Sequence, residues 1–241
     1  MASARANPVT YREHGEWYDG EIRRFVRLDN ADPPPAGGIL FVGSSIFREW
    51  REIRDFDADF APLPVLNRAF GGSQTDDQLR VMDAIVFPHR PKVLVYYCGS
   101  NDLNWGTPPE AIVANFAEWS RRVADALGPD VRILFVAVNR APQKAPVWNQ
   151  LDRTNQLAAA YCAATPNHAF VDVNADLFED AERRRPKTAL YREDGLHFER
   201  EGYDAFLPTV RRAVEAAWGE AVGAGEVAGG GDDFLPPGMR R

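Results

Sequence analysis

Hydrophobic residues along the chain fall into two alternating patterns. Short runs with no polar alternation occur at GILFVG, ending at Gly43, and at Val93–Cys98, Val131–Val138 and HAFVDV from His168. A weaker run covers Pro64–Asn67. Continuous apolar strands suit a sheet covered on both faces. Between them lie stretches with apolar residues at helical spacing: residues 11–29 (Trp17, Ile22, Phe25, Val26), SSIFREWREI, Thr75–Ile85, Pro109–Leu127, Asn149–Ala164 and Arg200–Trp218. Turn-rich segments separate them at Asp29–Gly38, GSNDLNWGTPP and NRAPQKAPVW. This alternation predicts a five-stranded parallel sheet between layers of helices, joined by right-handed crossovers, with any ligand outside the carboxyl ends of the strands.

Composition narrows the class. With 45% hydrophobic and 26% charged residues among 241, the chain reads as an ordinary globular protein. Its 28 basic against 35 acidic residues leave a net charge of −7, which argues against a nucleic-acid partner. Two cysteines, Cys98 and Cys162, both in apolar surroundings, read as buried free thiols of a reducing compartment. The first residues contain no apolar signal region and no run approaches a membrane span, so the expected location is cytoplasmic. Residues 1–10 are expected to be a flexible N-terminus. Residues 11–218 form the domain, with helix 11–29 appended, and the Gly-rich residues 219–241 form a flexible tail. Gly223-Ala224-Gly225 lacks both a preceding strand and the glycine spacing of a dinucleotide loop.

Four segments at strand ends carry candidate chemistry. Gly43-Ser44-Ser45-Ile46 follows the first strand, where a serine serves either as a helix cap or as a nucleophile at a helix N-terminus. Phe47 stands where a Gly-x-Ser-x-Gly elbow needs glycine. Gly71-Gly72 follows the second strand, either as a plain turn or as a close backbone approach to a reacting oxygen. Asn101, in Gly99-Ser100-Asn101-Asp102, is either a cap or an oxyanion donor. Asp194 and His197 stand at i, i+3, a spacing that lets a carboxylate meet an imidazole and fix its tautomer.

These four blocks, in this order, resemble those of the SGNH hydrolases, also called GDSL lipases/esterases, over Ile39 to Leu207. The resemblance implies a flavodoxin-like three-layer α/β/α sandwich with a five-stranded parallel sheet, and a serine esterase acting on a small-molecule ester. Residue by residue, it implies Ser45 as nucleophile, His197 as general base and Asp194 as its orienting acid. It gives the oxyanion hole to the N–H groups of Ser45 and Gly72 and the amide of Asn101. Ser44 departs from the family's aspartate before the nucleophile, and Ser100 stands at a variable position. No cofactor or metal is implied; His14, His89 and His168 lack ligand spacing. Trp105 and Trp148, in loops after strands, are candidates for the substrate rim, which would suit a carbohydrate acetyl ester; the favoured alternative is that each packs its loop against the domain. The competing classes are a non-catalytic binding module on the same fold and an anion or nucleotide binder using the Ser/Gly loops. Neither accounts for the complete Ser, Asp and His set. Oligomeric state is left open.

Overall fold

Each apolar run becomes a strand whose alternate residues feed two separate cores. The computed structural model describes residues 8–180, 182 and 184–228. In chain order the elements are α1 (Asp19–Ala31), β1 (Ile39–Gly43), α2 (Ser45–Ile53), α3 (Phe56–Phe60), β2 (Val65–Asn67), α4 (Thr75–Arg80), α5 (Met82–Ile85), β3 (Val93–Tyr97), α6 (Ser100–Asn104) and α7 (Pro109–Leu127). They continue with β4 (Arg132–Val136), α8 (Trp148–Ala164), β5 (His168–Val171), α9 (Asn174–Leu177), β6 (Phe178–Asp180), β7 (Arg185–Pro186) and α10 (Arg200–Ala228). The main sheet is parallel throughout, in the order β2-β1-β3-β4-β5. This is the predicted α/β sandwich.

Ile39 and Phe41 of β1, with Val93, Val95 and Tyr97 of β3, face a core shared with α2, α3 and α10. Their neighbours Leu40, Val42, Leu94 and Tyr96 face the opposite core, shared with α1, α5, α7 and α8. Period-two side-chain alternation in strands covered on both sides explains why the sequence shows no polar break there. The first core is strongly aromatic: Phe41, Phe47, Trp50, Phe56 and Phe60 pack ring to ring. Fully burying each such ring contributes about 1.5–3 kcal/mol.

Several boundaries differ from the sequence reading. The first helix starts at Asp19, not residue 11, because the Asp19 carboxylate accepts N–H bonds from His14, Gly15 and Glu16 and folds that segment into a turn. Helix 75–85 is broken at Val81. The loop after β3 contains α6. The expected tail from 219 is corrected in part: α10 continues to Ala228, with Glu220 paired to Arg132 and Ala221 packed on the core. Residues 1–7 of the expected N-terminus and 229–241 of the expected tail lie outside the described residues. Among the described residues, no helix is long and apolar enough to cross a membrane.

Candidate active site

Gly43 ends β1 at φ +137°, and a Cβ there would stand 1.9 Å from the carbonyl oxygen of Tyr97. Only glycine permits β1 to run this close to β3 and then turn. Ser44 N–H donates to the same Tyr97 carbonyl (2.9 Å), and α2 begins at Ser45. Ile46, Phe47 and Trp50 bury the inner face of α2, and the Tyr203 hydroxyl of α10 donates to the Ile46 carbonyl at 2.9 Å. The Ser45 side chain therefore sits at the carboxyl edge of the sheet on a rigid helical turn.

Asp194 and His197 approach from a closed loop before α10. Its backbone is laced by Arg192 N–H to His197 O (2.8 Å), Gly195 N–H to Arg192 O (2.8 Å) and Gln143 N–H to Gly195 O (2.9 Å). Phe198, buried in the aromatic core, anchors its end. His197 Nε2 lies 3.0 Å from Ser45 Oγ, and Nδ1 lies 2.6 Å from Asp194 Oδ2. The other oxygen, Asp194 Oδ1, accepts the N–H groups of Leu196 and His197 at 2.8 and 2.9 Å. Partial burial pushes the Asp194 carboxyl up, but the bond from His197 and the two backbone N–H groups outweigh it and hold it at about 2. Asp194 is thus ionised throughout the neutral range.

The other two blocks are locked to each other. Asn101 Nδ2 donates to Ser44 Oγ (2.8 Å) and Ser73 O (3.0 Å). The buried Asp102 carboxylate accepts Thr75 N–H at 3.0 Å and its hydroxyl at 2.5 Å. Burial raises the Asp102 carboxyl, and the Thr75 bonds act against it. Gly72, at φ +70°, is exposed to the cleft. Among the described residues, the N–H groups of Ser45 and Gly72 make no hydrogen bond. Ser44, at the N-cap position of α2, makes no side-chain cap bond and instead accepts from Asn101.

Ser45, Gly72, Asn101 and His197 line one open cleft of about 460 Å³, a size suited to a small ligand. Trp105 and Trp148 do not line it. Trp105 is 79% exposed elsewhere, and Trp148 packs its own loop, donating to Ala141 O at 2.9 Å beneath the Arg140 guanidinium. Its aromatic lining is Trp17, from the segment before α1, and Phe70. Helical spacing places Trp17 among the apolar positions of a helix over 11–29, but the helix begins only at Asp19 and Trp17 lies in the turn before it, exposed. Glu49 was also missed. It lies one turn after Ser45, buried, with Oε1 3.7 Å from His197 Nε2, and is ion-paired to Arg48 and Arg192. Its i, i+4 relation to Ser45 was the available signal, but a glutamate among arginines reads as a solvated helix face. Among the described residues, no group of three or more His, Cys, Asp or Glu could hold a metal ion.

A hydroxyl, an imidazole and a carboxylate in hydrogen-bonded series, at the carboxyl edge of a parallel sheet and without a Gly-x-Ser-x-Gly elbow, define a class of α/β hydrolases. The family model of the GDSL-like lipase/acylhydrolase family matches residues 41–205, and the chain belongs to that family. It is a hydrolase of ester bonds. Solved structures share the fold. A GDSL-like lipase from Bacteroides thetaiotaomicron superposes with a TM-score of 0.66 at 20% identity, covering 81% of this chain and 98% of its own. A lipase/acylhydrolase from Enterococcus faecalis gives 0.59 at 20%, covering 75% and 96%. Axe2, an acetylxylan esterase from Geobacillus stearothermophilus, gives 0.61 at 15%, covering 75% and 95%. No curated protein matches the chain.

Proposed function

We propose that the protein is a serine esterase that works through an acyl-enzyme on Ser45 and takes a short-chain ester, with an acetylated carbohydrate as the favoured kind. The observation that carries this reading is the pair of contacts on His197, 3.0 Å to Ser45 Oγ and 2.6 Å to Asp194. With Nδ1–H donating to the ionised Asp194, Nε2 is left as the acceptor for the serine proton. Ser45 Oγ attacks the ester carbonyl carbon as its proton passes to His197, and the departing alcohol takes that proton. Water then attacks the acyl carbon, giving its proton to His197 and from there to Ser45. The N–H groups of Ser45 and Gly72, unpaired among the described residues, are available as oxyanion donors, which supports this reading. Asn101 joins them by exchanging its bond to Ser44 Oγ for the oxyanion. The short-chain preference is supported by the cleft lining, in which Glu21, Arg48 and Glu49 interrupt the apolar surface. The two free buried thiols, Cys98 and Cys162, support a cytoplasmic setting.

A fluorophosphonate probe and a p-nitrophenyl acetate assay test the reading together. The wild-type chain is expected to label at Ser45 and turn over the ester, and Ser45→Ala to lose labelling and at least about 10⁴-fold in kcat. Retained turnover in Ser45→Ala would remove Ser45 as nucleophile. A folded wild-type chain that neither labels nor turns over ester would favour a binding module.

A further inference from the structure

The segment preceding α1 is held in place by unusually many bonds for a stretch that buries so little of its central side chain. Asp19 is almost wholly buried, and its carboxylate accepts the Tyr11 hydroxyl at 2.6 Å and the N–H groups of His14, Gly15 and Glu16 at 3.1, 2.9 and 3.0 Å. Tyr18 is buried against Phe70, with ring centroids 5.1 Å apart. Trp17, between these anchors, remains 64% exposed. The edge of its six-membered ring lies against Gly72: a Cβ at that position would stand 2.8 Å from the indole Cη2 and 3.1 Å from Cζ2. An indole that lines the cleft beside Gly72, on a backbone held by these bonds, is a preorganised contact surface whose ordering cost is largely met in folding.

We infer that Trp17 is the specificity-determining residue of the cleft, stacking on the pyranose or furanose ring that bears the ester. This rests on the esterase reading above and assigns its alcohol-side specificity to a segment outside the family-matched residues 41–205. The chemistry follows from what surrounds the indole. An alkyl chain needs a continuous apolar wall, whereas here Glu21, Arg48, Glu49 and Asn101 interrupt the apolar lining of Trp17, Phe70 and Leu196. A sugar ring presents an apolar C–H face to the indole and hydroxyls to those polar groups.

The test compares kcat/KM of the full chain on three esters: vinyl acetate, vinyl octanoate and a fully acetylated methyl xylopyranoside. Trp17→Ala is expected to lower the ratio of sugar-ester to vinyl-acetate kcat/KM by about tenfold, chiefly through KM. Trp17→Phe restores most of it, and Asp19→Ala, which releases the segment but keeps the indole, shifts the ratio in the same direction. An equal fall on all three esters in kcat would make Trp17 a packing residue for Gly72 and overturn the inference. So would a selective loss on the octanoate, or a wild-type chain that turns over vinyl acetate but not the sugar ester. A wild-type chain that turns over none of the esters, with Ser45 unlabelled, overturns the esterase reading and this inference with it. Wild-type turnover with an unmoved ratio overturns the inference alone.

Discussion

At the scale of single residues, the arrangement around Asn101 ties the departure at Ser44 to the chemistry. Both Nδ2 protons of Asn101 are engaged, one by Ser44 Oγ and one by Ser73 O. Ser73 Oγ in turn donates to Gly43 O and accepts from Gln78. The amide is therefore held in place, and in the proposed mechanism a developing oxyanion has only to replace one hydroxyl acceptor. Asn101→Ala is expected to lower kcat by about 10²–10³ with KM nearly unchanged, measured by steady-state kinetics on a short ester. A rise in KM alone would mean that the side chain serves only to hold the Ser73 turn. The residue types at this site were legible in the sequence because reaction chemistry demands them. Glu49 was not, because nothing in its type separates a carboxylate facing an imidazole from one facing water.

At the scale of elements, the site depends on how closely β1 approaches β3. The strands pair from Ile39–Val93 to Gly43–Tyr97, and the last pair brings two backbones into contact where Ser45 must be presented. Gly43→Ala sets a Cβ 1.9 Å from the Tyr97 carbonyl at a positive φ. It is expected to cost at least about 3 kcal/mol, measured by urea unfolding, because neither backbone is free to move. A loss below about 1 kcal/mol would show that the sheet edge yields. The five strands of the parallel sheet were readable to within a residue or two, since unbroken apolar runs have few other uses, whereas the short polar pair β6 and β7 left no such trace. The helices were less so. The break at Val81 and the start of α1 depend on a turn angle and on a carboxylate that captures three N–H groups, neither of which leaves a periodic trace.

At the scale of the whole molecule, a buried cation links the site loops to global stability. Lys144 is fully buried and donates to Ser100 O at 2.9 Å; among the described residues no carboxylate pairs with it. Burial pushes its ammonium down to about 8 from an ordinary value of 10.5. Between those values the unfolded chain binds more protons than the native one, so stability rises with pH across the window. Well below pH 8 this linkage leaves the native state about 3 kcal/mol less stable than it would be with an unshifted lysine. Lys144→Met removes this linkage. The wild type is therefore expected to gain about 3 kcal/mol on the variant between pH 7 and pH 10.5, measured by urea unfolding at both. A difference independent of pH would show that water reaches the ammonium.

The linear sequence by itself determined the strand–helix alternation, the sheet with two apolar faces and the four blocks that carry the family resemblance, because periodicity and residue chemistry are local properties. Tertiary structure alone decided that His197 reaches Ser45 across 152 positions, that Trp17 rather than Trp105 or Trp148 walls the cleft, and that Glu49 stands against the imidazole. Those outcomes depend on which loops meet at one sheet edge. That meeting is set by the packing of whole layers, and no single segment encodes it.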